Sequence, residues 1–234
     1  MCRVFHAYWI YTLIVGILTG CNEIVEPVID YGDERFYPLQ VGNEWIYQQT
    51  DIQYEISGFD TTTIQIKEEI VAADTLSSST ISFTIYKSIR AHENEAWTLD
   101  SVFQIRKDEN YLLTQRGNHV VTTLNFPVVA GKRWDYNSHN TAAPQMVTYQ
   151  EDTSSILNQL EVNIPQSKRI LIILSNIPRN IVNQNEQYEL YIKDVGLVEK
   201  KSIILEFCTV NCNSAGQINT GHYMLKQLIS YEIQ

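Results

Sequence analysis

A twelve-residue stretch that occurs twice constrains this chain more than any other feature. Phe36-Tyr-Pro-Leu-Gln-Val-Gly-Asn-Glu-Trp-Ile-Tyr47 returns as Asn125-Phe-Pro-Val-Val-Ala-Gly-Lys-Arg-Trp-Asp-Tyr136. Pro38 and Pro127, Gly42 and Gly131, Trp45 and Trp134, and Tyr47 and Tyr136 are each 89 positions apart. A fixed offset across the whole motif speaks first of architecture, because it implies one supersecondary unit used twice. The chemistry of the motif agrees. Proline fixes φ and ends pairing upstream, and glycine admits a left-handed or bulged turn. Tryptophan then enters a strand with tyrosine two residues later on the same face. The functional alternative makes Trp45, Tyr47, Trp134 and Tyr136 an exposed platform for a sugar or an apolar ligand. Aromatics at regular strand spacing are more often core, so the structural reading carries more weight.

Each copy of the motif is followed by residues of period two. Ile64, Ile66 and Ile70 alternate with Gln65, Lys67 and Glu69, and Ile81, Phe83, Ile85 and Ile89 alternate with Ser82, Thr84, Tyr86 and Ser88. Trp97 to Ile105 continues the pattern; Val102–Arg106 and Tyr111–Gln115 form a hairpin about Lys107-Asp-Glu-Asn110, and His119 to Leu124 adds a strand. After the second copy, Gln145–Gln150, Leu160–Ile164, Arg169–Leu174, Tyr188–Ile192 and Leu197–Phe207 read as strands. Tyr223, Leu225, Ile229, Tyr231 and Ile233 read as the buried face of a last one. Such alternation marks antiparallel strands with one buried and one wet face. No stretch carries a 3.6-residue apolar stripe over three turns, and Thr153–Leu160 is the one candidate short helix. The expectation is an all-β, mainly antiparallel fold with little helix. It is a curved sheet, β-roll or half-barrel built from two similar halves, roughly residues 36–116 and 125–207, within a single domain of residues 36–234. Open sheet edges are its weak point, and the long loop from Cys208 to His222 is placed over one of them.

The first twenty residues lie outside that domain. Arg3 is the only Lys, Arg, Asp or Glu before Glu23, and Phe5 to Leu18 is almost wholly apolar or aromatic. A basic start, an apolar run of roughly fifteen residues and a small-residue end describe a secretory signal. The ending Leu18-Thr-Gly-Cys21 resembles the lipobox of bacterial lipoproteins. In that family the cysteine is lipidated and begins the mature chain, which here implies lipidation (palmitate among the acyl groups) at Cys21. An uncleaved anchor containing a cysteine is the alternative. Residues 21–35 read as a short acidic tether. A leader that carries off Cys2 and a lipid on Cys21 leave Cys208 and Cys212 as thiols. The space beyond the inner membrane is oxidising, and a structural disulfide between them is the first reading, two free thiols the second and a metal site the last.

Without the leader, 214 residues carry a formal charge of −11, against −10 for the whole chain. That balance excludes nucleic acid as a partner, since phosphate contacts need clustered Lys and Arg. It also leaves the lipid as the means of holding a membrane, which takes more than one acyl chain. The lipobox, the Tyr37–Tyr47 segment, Gly131-x-x-Trp134 and Tyr191-Ile-Lys-Asp-Val-Gly-Leu-Val198 together resemble a group of exported lipoproteins of Gram-negative bacteria. The resemblance implies a β-rich protein of the cell envelope with no assigned activity; the outer membrane is the expected place of the anchor, and which face it presents is left open. The group's Pro-Ala-Gly-like turn is replaced here by Ile164-Pro-Gln-Ser-Lys168, without the glycine.

Catalytic signatures are lacking. His92, His119, His139 and His222 have no metal-ligand spacing, and no glycine loop suits a phosphate, so neither metal nor cofactor is implied. Asp135, Ser138 and His139 lie close in sequence, but no Gly-x-Ser-x-Gly elbow supports a triad. Adjacent carboxylates such as Glu68 and Glu69 face opposite sides of a strand. The expected role is therefore non-enzymatic: a lipid-anchored protein that binds a lipid, a glycan or an envelope protein, or acts as a scaffold. A hydrolase of envelope or environmental polysaccharide is the alternative, and it requires two carboxylates converging in a cleft.

Overall fold

Strands form almost everywhere that the alternation predicts them. The protein, seen in a computed structural model, is described over residues 33–152, 162, 164, 166–210, 212, 214 and 216–234. The leader, Cys21, most of the acidic tether and the Thr153–Leu160 helix lie outside the described residues. Twelve strands follow a 3-10 turn at Asp33–Phe36. They are β1 (Glu44–Glu55), β2 (Gly58–Thr75), β3 (Ile81–Arg90), β4 (Thr98–Lys107), β5 (Tyr111–Arg116) and β6 (His119–Asn125). Then come β7 (Arg133–Asp135), β8 (Met146–Glu151), β9 (Arg169–Ile177), β10 (Asn183–Ile192), β11 (Gly196–Phe207) and β12 (Ile218–Glu232). The strand expected over Leu160–Ile164 is not seen at its two described residues, Val162 and Ile164, which instead pack against the core.

All twelve strands join one antiparallel sheet in the order β6-β5-β4-β3-β2-β1-β12-β11-β10-β9-β8-β7. This is an up-and-down meander whose last strand returns to its first, a nearly closed barrel. The expected curved, all-β architecture is thus observed. Its gap falls between β6 and β7, at the second copy of the motif. The Cys208 loop joins β11 to β12 in the middle of the sheet, so it covers no edge, contrary to expectation. The edges guard themselves instead. Thr122 N–H donates to the Tyr136 carbonyl at 2.9 Å, the Trp134 indole N–H donates to the Thr122 carbonyl at 2.8 Å, and Asn140 Nδ2 donates to the Val120 carbonyl at 2.7 Å.

Both copies of the motif make the same turn. Gly42 (φ +94°) and Gly131 (φ +84°) sit in the left-handed region that glycine tolerates. Gly42 N–H bonds the Ile70 carbonyl and Ile70 N–H bonds that of Asn43, each at 2.9 Å. Gly131 and Tyr149 repeat this at 2.8 Å and, through the Lys132 carbonyl, 3.0 Å. Each turn thus staples the start of its strand to the neighbour that follows.

The core fills the end of the barrel where Asp33 enters, the base. Phe36, Trp45, Ile70, Ile85, Ile105, Leu112, Leu124, Tyr149, Ile170 and Leu228 are all buried there or along the inner wall. In β12 the inner face is not the expected one. Lys226 and Leu228 point inward, with Tyr223 and Leu225 on the outer face, while Tyr231 pairs with inward Trp45. A bulge opposite Ile46 and Tyr47 inserts one residue and reverses the phase.

Close backbone approach at β11 and β12 yields one expected result. A Cβ on Gly221 (φ +149°) would lie 2.3 Å from the Ile204 carbonyl oxygen and 2.8 Å from Leu205 Cα. Gly221→Ala is expected to destabilise the fold by about 2–4 kcal/mol through strain and overpacking, measured by urea unfolding. A loss below about 0.5 kcal/mol, the range of ordinary surface changes, would show that the strands part freely. Beside this pair, Cys208 and Cys212 are joined by the expected disulfide, with Cα atoms 5.6 Å apart.

Candidate functional site

Above the apolar base, the alternation places charge on the inner wall. Glu68 follows Ile66 by two residues and precedes Ile70 by two, so it must face inward with them. Glu189 and Tyr191 share the inner face of β10, Lys200 lies opposite Glu189 on β11, and Lys226 lies opposite Lys200 on β12. Arg116 reaches in from the end of β5. Together with Tyr37, Phe103, Thr114, His119, Val121, Thr123, Tyr136 and Leu197 these residues line a cavity of about 200 Å³. Arg116 is half-exposed, whereas Glu68, Glu189 and Lys226 are buried. The cavity therefore meets solvent at Arg116.

Every buried charge has a partner, as burial demands. Lys226 Nζ donates to Glu68 Oε1 at 2.8 Å and lies 3.9 Å above the Tyr47 ring. Arg116 Nη2 is 3.7 Å from the same carboxylate oxygen, with its guanidinium 4.0 Å over the Phe103 ring. Glu189 accepts from Lys200 Nζ at 2.7 Å and from the Tyr191 hydroxyl at 2.9 Å.

The electrostatics have one direction. Burial alone would raise the Glu68 carboxyl, but Lys226 and Arg116 outweigh it and hold it below the usual range. Burial likewise opposes ionisation of Glu189, and Lys200, with Tyr191 and Lys226, overcomes it. Burial pulls the Lys226 ammonium down, with Arg116 and Lys200 adding to this against the attraction of Glu68. Three cations face two carboxylates: the cations lower both carboxyls against burial, and burial first, then the neighbouring cations, lowers Lys226. The phenols of Tyr37, Tyr47, Tyr136 and Tyr191 are pushed well above the usual range, by burial first and by Glu68 or Glu189 next, so they remain hydroxyl donors.

A pH dependence follows. Glu68 and Glu189 titrate lower folded than unfolded, so the unfolded chain binds more protons below the ordinary value of 4.5. Their contribution is present above that pH and lost as pH falls through the lower folded values. Urea midpoints are expected to drop across this acid window, and less steeply in Glu189→Gln. An equal slope in that variant would show that Glu189 has no part in it.

The four motif aromatics are not an exposed platform. Trp45 and Tyr47 are 1 % exposed and Trp134 6 %. The Trp45 indole N–H donates to the Val195 carbonyl at 2.6 Å and the Tyr47 hydroxyl to that of Leu197 at 3.2 Å, while Trp134 packs on Tyr149 with ring centroids 4.4 Å apart. Tyr136 alone reaches the cavity lining. Cys208 and Cys212 do not line the cavity. Among the described residues no group of His, Cys, Asp and Glu is arranged to hold a metal.

The candidate triad does not assemble. Ser138 Oγ and Thr122 Oγ1 both lie 3.1 Å from the same His139 nitrogen, Nδ1. Asp135 spends its Oδ1 on the backbone N–H groups of Asn137 and Gln145. A relay needs the acid and the nucleophile on opposite imidazole nitrogens. Glu68 and Glu189 do share the cavity, but both are held ionised, whereas a glycosidase acid must be pushed up.

The charged inner wall was not anticipated from sequence. Glu68 was legible, being in phase with Ile66 and Ile70. Lys226 was hidden by the β12 bulge, and Arg116 by its place at a strand end, where alternation says nothing of direction.

No protein-family model matches the chain, and no curated protein matches it. Two solved structures resemble it in the course of the chain. One, described as an exported protein with a YmcC-like fold from Bacteroides fragilis, is 11 % identical, with a TM-score of 0.47 over 84 % of this chain and 98 % of that one. The other, described as a lipoprotein from Parabacteroides distasonis, is 10 % identical, with a TM-score of 0.41 over the same shares. At these values the likeness gives no residue-by-residue correspondence.

Proposed function

We propose that this chain is an exported, lipid-anchored protein of the bacterial envelope that binds a small ligand inside its barrel without transforming it. The observation that carries the reading is the cavity among Glu68, Arg116, Glu189, Lys200 and Lys226. Charged groups are costly to bury, and a barrel built only for stability would fill that volume with apolar side chains, as this one does at its base. The cavity is charged and small, which favours a polar solute over an acyl chain. The leader ending in Leu18-Thr-Gly-Cys21 supports the anchor.

Binding is tested by native mass spectrometry and thermal unfolding of the full-length protein in a neutral detergent. The expected result is a small co-purifying ligand, or a raised unfolding midpoint with members of a solute library. A ligand-free protein that no solute stabilises would sink the binding reading and leave a scaffold role. The anchor is tested by palmitate labelling of intact cells. Labelling is expected to vanish in Cys21→Ala, and labelling that persists unchanged would overturn lipidation at that residue. Fractionation of the labelled membranes then assigns the anchor to the inner or the outer membrane.

A further inference from the structure

The cavity's charge, size and lining also specify what it holds, an inference that rests on the binding reading above. We propose that the cavity takes a small monocarboxylate with a short apolar tail, its carboxylate placed at Arg116 beside the Glu68–Lys226 pair. The first ground is the charge count. Arg116, Lys200 and Lys226 face Glu68 and Glu189, one positive charge in excess. Lys200 and Lys226 each have a carboxylate oxygen within 2.8 Å, but Arg116 approaches its nearest one only at 3.7 Å. The excess charge therefore sits on Arg116, the residue at the mouth. Its guanidinium is braced against the Phe103 ring, which fixes the plane of a fork suited to two carboxylate oxygens.

The second ground is volume. About 200 Å³ is less than the roughly 300–1,000 Å³ of sites for drug-sized ligands. A cavity below that range suits a molecule of the size of a four- or five-carbon acid. A long acyl chain or a sugar chain exceeds it. The third ground is the apolar part of the lining. Val121 and Leu197 present apolar surface on which a short hydrocarbon tail loses its contact with water. A phosphate dianion lacks such a tail and would turn the excess of one positive charge into an excess of one negative. A neutral ligand would leave Arg116 uncompensated as it displaced water from it.

The test uses the full-length protein in a neutral detergent, titrated calorimetrically with sodium butyrate, butyramide, butylamine and inorganic phosphate. Butyrate is expected to bind saturably at one site and to raise the unfolding midpoint, with the other three at least about tenfold weaker. Arg116→Gln, at a half-exposed position where the fold tolerates change, is expected to weaken butyrate by roughly tenfold to a hundredfold, the range of a hydrogen bond to a charged group. Arg179→Gln, on the distant β9–β10 loop, should leave it unchanged. Butyramide, butylamine or phosphate binding as tightly as butyrate would overturn the carboxylate class while leaving cavity binding intact. Butyrate affinity unmoved by Arg116→Gln would overturn the site. No binding by any of the four would overturn the proposal, and the broader reading would fall only if native mass spectrometry and the solute library also found nothing.

Discussion

Replacing Lys226 with methionine is expected to destabilise the barrel by about 3–5 kcal/mol, the cost of leaving a buried charge without its partner. Glu68 is 3 % exposed and accepts the Lys226 ammonium at 2.8 Å. Arg116 at 3.7 Å remains as partial compensation, which places the loss toward the lower end. Glu68→Met alone should be comparably harmful, because it strands Lys226 beside Lys200 and Arg116. The informative variant carries both substitutions. Well-packed apolar residues often replace a buried ion pair at little cost, so the double variant is expected within about 1–2 kcal/mol of the parent. The coupling energy of the cycle would then be about 3 kcal/mol or more. Urea unfolding of the four proteins measures it. Single losses no larger than about 0.5 kcal/mol, as on an exposed surface, would mean that the pair is solvated and the inner wall is not the low-dielectric site described.

Trp45→Ala is the second large effect. It removes a side chain that is 1 % exposed from the base of the barrel, at a cost of about 3–5 kcal/mol for a buried aromatic. It also orphans the Val195 carbonyl, which accepts the indole N–H at 2.6 Å, for a further 1–3 kcal/mol or so. Trp45→Phe keeps most of the packing and loses the bond, so about 1–3 kcal/mol is expected of it. The equivalent change at Trp134 separates the two copies of the motif. Trp134 donates to Thr122 across the gap between β6 and β7, so Trp134→Ala should loosen that seam first. Hydrogen exchange is expected to rise in β6 before the β1–β12 pair is affected. Uniform exchange across the sheet in both variants would show that the seam is no weaker than the rest of the barrel.

Strand content, antiparallel pairing and the duplicated turn were legible because they are local. Alternation of Ile64, Ile66 and Ile70 is a property of neighbouring residues, and so is the left-handed glycine that both motif copies require. The Cys208–Cys212 bridge was legible because four residues of separation leave few alternatives. The non-strand course at Val162 and Ile164 and the place of the Cys208 loop were not, since each depends on which distant segment lies alongside.

The candidate site divides the same way. Sequence alone determined that Glu68 faces the side of Ile66 and Ile70, and that Trp45 and Tyr47 share a face suited to a core. The tertiary structure decided what Glu68 meets there. Lys226 is 158 positions away and turns inward only because a bulge in β12 shifts its phase by one residue. Arg116, Glu189 and Lys200 come from three further strands, gathered by the return of β12 to β1. A charge in one strand states its own direction through the two-residue period, but its partner is set by closure of the barrel, which no local pattern encodes.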